Sequence, residues 1–121
     1  MTIQECYEKL GGDYNDALTR LLKEERGMKY VLLFLEEHSF EQLAEAMSAE
    51  DYDAAFKYAH NMKGVCQNIS FNRLYEPTFL LTDALRESSR DIGMAMEYFI
   101  DLQKVYQETV AVIREFQKGC C

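Results

Sequence analysis

Residues 51–74 read DYDAAFKYAHNMKGVCQNISFNRL, and this stretch decides what the 121-residue chain is. Tyr52, Ala55, Phe56, Ala59, Met62, Cys66 and Ile69 recur three or four residues apart. That is the spacing of one apolar face of an α-helix. At about 100° per residue, His60 falls roughly 120° from the centre of the stripe. Lys57, Lys63, Gly64 and Gln67 fall on the same side of the helix, within about 60° of His60. The spacing therefore predicts a bundle helix whose outer flank carries a histidine, a lysine about one turn to either side and a glycine four residues on.

That flank has a chemical reading. An imidazole with the ordinary pKa near about 6.5 is neutral and nucleophilic at neutral pH. It can attack a phosphoryl group and hold it on nitrogen. The adduct brings about two negative charges to the ring, and lysines at i−3 and i+3 supply compensating charge and hydrogen bonds. A glycine inside a helix costs about 1 kcal/mol relative to alanine, so it asks for a reason. Two are available for Gly64: clearance above the ring for a phosphoryl group or a docking protein, or a close contact with another helix. A solvated surface histidine is the plain alternative to a nucleophile. The combination H-x-x-K-G on the polar flank of an amphipathic helix favours chemistry.

The run A-H-N-M-K-G-V-C-Q-N-I-S-F-N-R-L resembles the motif of histidine-containing phosphotransfer (HPt) domains, A-H-x-L-K-G-x-x-x-x-x-G-x-x-x-L, at Ala59, His60, Lys63, Gly64 and Leu74. The resemblance implies that His60 is the phosphorylated residue, Lys63 the phosphate-facing cation and Gly64 the clearance residue. The chain departs from the motif at Met62, where the family has leucine, and at Ser70, where it has glycine.

The composition agrees with a helical domain. Hydrophobic residues make up 48% and charged residues 28% of the chain, as in an ordinary globule. One proline and six glycines leave few helix breakers, and alternating β-branched runs are absent. The net charge of −8 and the lack of a basic patch speak against nucleic acid. No run reaches about 18 apolar residues, so no membrane span is expected. The opening MTIQECYEKL lacks the basic start and apolar core of a signal peptide, so the expected location is cytoplasmic.

The remaining segments can be read in order. Residues 2–10 form a short helix stopped by Gly11-Gly12, and Asp13 caps a second one bearing Ala17, Leu18, Leu21 and Leu22, broken at Gly27. Met28, Val31, Leu32 and Leu35 make an apolar stripe. Ser39 to Gln42 fits a capping box ahead of Phe40, Leu43, Ala44 and Met47. His38, just before it, is assigned no chemistry. Ser48 or Asp51 caps the His60 helix, which ends near residues 70–72.

The next helix carries Leu74, Thr78, Leu81, Ala84, Leu85 and Ser88 on one face, and either starts after Pro77 or kinks there. Two antiparallel helices joined near residue 71 put Thr82 as far after the turn as His60 lies before it. Thr82 is therefore expected opposite His60, its hydroxyl within reach of a phosphoryl group. HPt domains often carry glutamine at this place. Tyr75, Phe79 and Arg86 are placed on the same outer side as a docking surface; packing of Phe79 under an N-terminal helix is the other reading. A last helix from about Ile92 to Gln117, capped by Asp91 or a residue slightly earlier, carries a seam through Ala95, Tyr98, Leu102, Val105, Thr109, Val112 and Phe116.

Cys6, Cys66, Cys120 and Cys121 show no C-x-x-C spacing. Cys66 reads as a buried thiol. The Cys120-Cys121 tail reads as a frayed end, with redox, metal-binding or lipidated roles as alternatives. There is no phosphate-binding glycine loop, so no nucleotide site is visible.

These readings converge on an all-α fold, an antiparallel four-helix bundle with additional short N-terminal helices, forming one domain over residues 1–121. The expected function is that of a phosphorelay intermediate rather than an enzyme. His60 accepts a phosphoryl group from a histidine kinase or from the phospho-aspartate of a response-regulator receiver domain, and passes it on to a receiver aspartate. Lys63, Lys57, Gly64, Gln67 and Thr82 support the ring or its phosphate. No cofactor is expected, since any magnesium would come with the partner receiver. Two alternatives stand beside this. One is a helical adaptor that docks receivers or kinases without being phosphorylated. The other is a metal-binding bundle, against which the absence of Glu-x-x-His pairs speaks.

Overall fold

The computed structural model describes residues 2–16, 32–68 and 71–119. Five helices are defined among them: α1 Ile3–Leu10, α2 Ser39–Ser48, α3 Tyr52–Asn68, α4 Asn72–Leu85 and α5 Ile92–Gly119. A 3₁₀ turn spans Glu87–Ser89, and the described residues include no strand. The expected helix over Ala17 to Leu22, its break at Gly27, Met28, Val31, Ile69, Ser70, Cys120 and Cys121 lie outside the described residues.

Consecutive helices pack on one another, α2 on α3, α3 on α4 and α4 on α5. With connections this short, neighbours must run antiparallel. Phe40 closes α2 onto α5: its ring stacks on Tyr106 at 4.0 Å and on Phe99 at 6.0 Å between centroids. The bundle is the all-α architecture that the periodicity predicts.

The core faces follow the stripes with small shifts. On α3 the buried residues are Ala55, Ala59, Met62 and Cys66, while Tyr52 and Phe56 are half-buried. On α5 they are Ala95, Leu102, Thr109, Ile113 and Phe116, so the seam passes through Ile113 rather than Val112. On α4, Leu74, Thr78, Leu81, Thr82 and Leu85 are buried. Pro77 neither delays α4 nor ends it: the helix starts at Asn72 and runs through the proline. Its missing N–H leaves the Arg73 carbonyl without one helical donor.

Local chemistry sets the boundaries. Thr2 and Glu5 form a reciprocal capping box on α1. Gly11 ends α1 at φ 65°, and the Gly12 N–H donates to the Tyr7 carbonyl at 2.9 Å. A Cβ on Gly11 would stand 3.1 Å from the Cβ of Arg73. Asp51 caps α3 by accepting from the Ala54 N–H at 3.2 Å, and Asp91 caps α5 by accepting from the Met94 N–H at 3.1 Å. Asp13 accepts from the Asp16 N–H at 2.9 Å.

The capping box expected at Ser39 does not form. Ser39 is already helical, and its hydroxyl and N–H both donate to the Glu37 carboxylate, at 2.6 and 2.9 Å. The hydroxyl bond is the main reason that the Glu37 carboxyl sits below its ordinary pKa.

The N-terminal helix covers one end of the bundle. The Tyr7 ring meets Phe71 edge-on at 5.4 Å, and Lys9 pairs with Glu115 on α5 at 3.4 Å. Phe71 precedes the first residue of α4, and His60 lies eight residues, about 12 Å of helix rise, before the end of α3 at Asn68. α1 therefore leaves the middle of α3 uncovered. None of the described helices is long and apolar enough to cross a membrane.

Candidate functional site

His60 lies midway along α3 and is exposed. Its neighbours Ala59 and Met62 are buried, at 0% and 1% exposure, so the core side of the helix fixes the imidazole on the solvent side. Lys57 and Gln67 are exposed on the same flank, and Lys63 and Gly64 are half-buried. One turn before the histidine, the Phe56 ring stands 6.0 Å from the imidazole, tilted by 44°.

Among the described residues, nothing in the packing requires a glycine at position 64. Among the described residues, a Cβ built there would meet no atom beyond its own stretch of helix within 4 Å. Its backbone is ordinary α-helix, so no left-handed conformation requires it either. No helix of the described residues makes a close contact there, and open space beside His60 remains.

α4 supplies the opposite wall. The Lys63 ammonium lies 5.6 Å from the centroid of the Phe79 ring, and the Arg86 guanidinium 5.6 Å from that of Phe56. Tyr75 stacks on Phe79 at 6.1 Å. Phe79 is 38% exposed and is not covered by an N-terminal helix of the described residues. Arg86 also pairs with Asp83 at 3.0 Å. Tyr75, Phe79 and Arg86 thus share the face that looks toward the His60 flank.

Thr82 does not. It is fully buried, and its hydroxyl donates to the Thr78 carbonyl at 2.7 Å. The expectation that this hydroxyl reaches a group on His60 is overturned. The level is right: the contacts of Lys63 with Phe79 and of Phe56 with Arg86 keep the register that sets residue 82 level with residue 60. The side is wrong, because Thr82 belongs to the inward stripe of Leu74, Thr78, Leu81 and Leu85.

Two side chains at the site were not singled out from the sequence for it. Phe56 belongs by its spacing to the apolar stripe, yet it touches both His60 and Arg86; its i−4 spacing from His60 is the available signal. Asp83 is the other, and its i,i+3 spacing from Arg86 is the available signal.

The electrostatics of the flank are uneven. Among the described residues Lys9, Arg73, Arg86 and Arg90 each pair with a carboxylate, whereas Lys57 and Lys63 do not. Two uncompensated ammonium groups beside an exposed imidazole suit a dianionic group. Cys66, on the inward face of the same helix, is no competitor as a nucleophile. Burial pushes its thiol up to about 12, so it stays protonated. No three His, Cys, Asp or Glu side chains converge as a metal cluster among the described residues.

The chain is similar to the chemotaxis protein CheA of Salmonella typhimurium, 29% identical over 85 residues, which is 70% of this chain and 12% of the length of that relative. No solved structure matches. The family model for the Hpt domain matches residues 29–111, well over half of the chain, with His60, Lys63 and Gly64 inside it. The chain belongs to the Hpt domain family, the histidine phosphotransfer carriers of two-component signalling.

Proposed function

We propose that this protein is a phosphorelay intermediate in which His60 takes a phosphoryl group from a histidine kinase or a receiver phospho-aspartate and gives it to a receiver aspartate. The observation that carries the reading is the pairing of an exposed His60 with a Gly64 that nothing in its backbone or in the packing of the described residues requires.

The transfer needs no proton shuttle. The lone pair of a neutral imidazole nitrogen attacks phosphorus, the acyl phosphate P–O bond breaks, and the aspartate leaves as carboxylate. The product is a phosphoimidazolium that still carries the proton on its other nitrogen. The negative phosphoryl oxygens are met by Lys63 and Lys57. Gln67 donates from two turns beyond His60, and Gly64 leaves the approach open. Phe79, Tyr75 and Arg86 form the rim on which the partner docks. Thr82 has no part in it. Magnesium belongs to the receiver's aspartate site, and the reaction needs no nucleotide site on this chain. The partners are a receiver domain, a histidine kinase or both, in the cytoplasm, without nucleic acid or membrane.

The test is label transfer from a phosphorylated receiver domain. Wild-type protein should take up acid-labile, base-stable phosphate, and His60→Gln should take up none. Label on the His60→Gln protein overturns the assignment. Receiver binding by an unlabelled wild type would make the chain a docking adaptor instead.

A further inference from the structure

We propose that Phe79 is a positioning residue for Lys63: its ring holds the ammonium group in place beside His60 without neutralising it. This rests on the phosphocarrier reading and adds a part to it.

A lysine side chain has four rotatable bonds and loses up to about 2 kcal/mol of conformational entropy when it is fixed. A surface lysine at i+3 from a histidine therefore spends most of its time elsewhere unless something holds it. A carboxylate would hold it and also cancel its charge, leaving little for an incoming phosphoryl group. An aromatic face holds a cation through the ring quadrupole and leaves the charge intact.

The site uses the second device. Lys63 reaches across the groove between α3 and α4, is half-buried, and lies 5.6 Å from the Phe79 centroid. No carboxylate among the described residues pairs with it. Tyr75 stacks on Phe79 from one turn earlier, which steadies the ring. Lys57 is the internal contrast. It is also one turn from His60, but it is exposed and meets no ring among the described residues. Phe79 keeps 38% of its surface exposed, which a residue placed for core packing would not.

The test separates this role from docking by removing the protein partner. Phosphoramidate is the donor: a nitrogen of His60 bonds to phosphorus, the donor P–N bond breaks, and its nitrogen leaves as ammonia with the bonding pair. Phe79→Leu should slow this labelling by about two- to fivefold, the rate equivalent of an exposed cation–π contact. Phe79→Tyr should restore the wild-type rate. In a Lys63→Ala background, Phe79→Leu should have no further effect, because the ring then has nothing to hold. In proton NMR the Lys63 ε-methylene should be ring-shifted upfield in wild type and Phe79→Tyr, and return to its ordinary position in Phe79→Leu.

An unchanged rate in Phe79→Leu overturns the proposal. So does a loss of equal size with and without Lys63. A wild type that takes no phosphoryl group from either donor overturns the carrier reading and this role with it, while the Lys63 ring shift would still report the contact.

Discussion

Gly64 follows His60 by one helical turn, and a methyl group placed on it would meet no other part of the described residues within 4 Å. Since the backbone there is plain helix, Gly64→Ala should stabilise the fold by about 0.5–1 kcal/mol, through helix propensity and a less flexible unfolded chain. The urea midpoint should rise at constant slope. Gly64→Gln should also fold, yet cut transfer from a receiver by roughly tenfold or more, because a side chain then stands where the reacting groups must align. Full transfer by the glutamine variant would leave clearance without support.

Glu50 is the reverse case. It sits at φ 58° in the link between α2 and α3, where the Asp51 N–H donates to the Ala46 carbonyl at 2.9 Å. A left-handed conformation costs a residue with a Cβ about 1 kcal/mol, and glycine avoids that cost. Glu50→Gly should therefore stabilise the protein by up to about 1 kcal/mol in urea denaturation, with phosphoryl transfer unchanged. Destabilisation would mean that the Glu50 side chain makes a contribution larger than its backbone strain.

Thr82→Val tests whether the inward placement of this residue is correct. The hydroxyl donates to the Thr78 carbonyl, which also accepts the helical N–H of residue 82. Removing it strands no acceptor, so stability should change by less than about 1 kcal/mol. Labelling of His60 should proceed at the wild-type rate. A tenfold slower reaction would put Thr82 back at the phosphoryl group.

The same residue shows what the sequence can and cannot convey. Counting outward from Phe71 places residue 82 level with residue 60, and the pairs Lys63–Phe79 and Phe56–Arg86 keep that register. Counting gives height along a hairpin but not rotation about the helix axis. Rotation was nonetheless readable, since Leu74, Thr78, Leu81 and Leu85 form the inward stripe and Thr82 lies four residues after Thr78. On α3 the stripe alone sufficed, because Ala55, Ala59, Met62 and Cys66 fix the face and His60 follows from it.

The caps at Asp51 and Asp91 were legible, and the one at Ser39 was not. The four-residue pattern at Ser39 matches a capping box, but the helix starts one residue too early for the hydroxyl to serve, and Glu37 takes its place. The unused partner was two residues upstream, outside the pattern. Phe56 was read correctly as part of the stripe and incompletely as part of the site. A ring at the edge of an apolar face can do both, and periodicity has no way to say so.

The Ser39–Glu37 pair makes a prediction about pH. The folded Glu37 carboxyl lies below its ordinary pKa, first because the Ser39 hydroxyl donates to it, with the Ser39 and His38 N–H groups and the His38 charge adding to this against the opposing effect of burial. A group whose folded pKa is depressed stabilises the fold while ionised. Its contribution is complete above the unfolded carboxylate pKa, about 4.3 for glutamate, and is lost as pH falls through the lower folded value. Ser39→Ala removes the largest cause. The variant should be less stable than wild type at pH 7 by about 0.5 kcal/mol, the low end for a hydrogen bond, because Glu37 is half-exposed and solvent screens it. Alanine also improves helix propensity by a few tenths of a kcal/mol, but that gain does not vary with pH. The pH dependence is therefore the decisive reading. The stability difference between wild type and Ser39→Ala should shift in favour of the variant as pH drops from 7 to 3, and a difference that stays constant over that range would show that the Ser39 hydroxyl does not hold the Glu37 carboxylate.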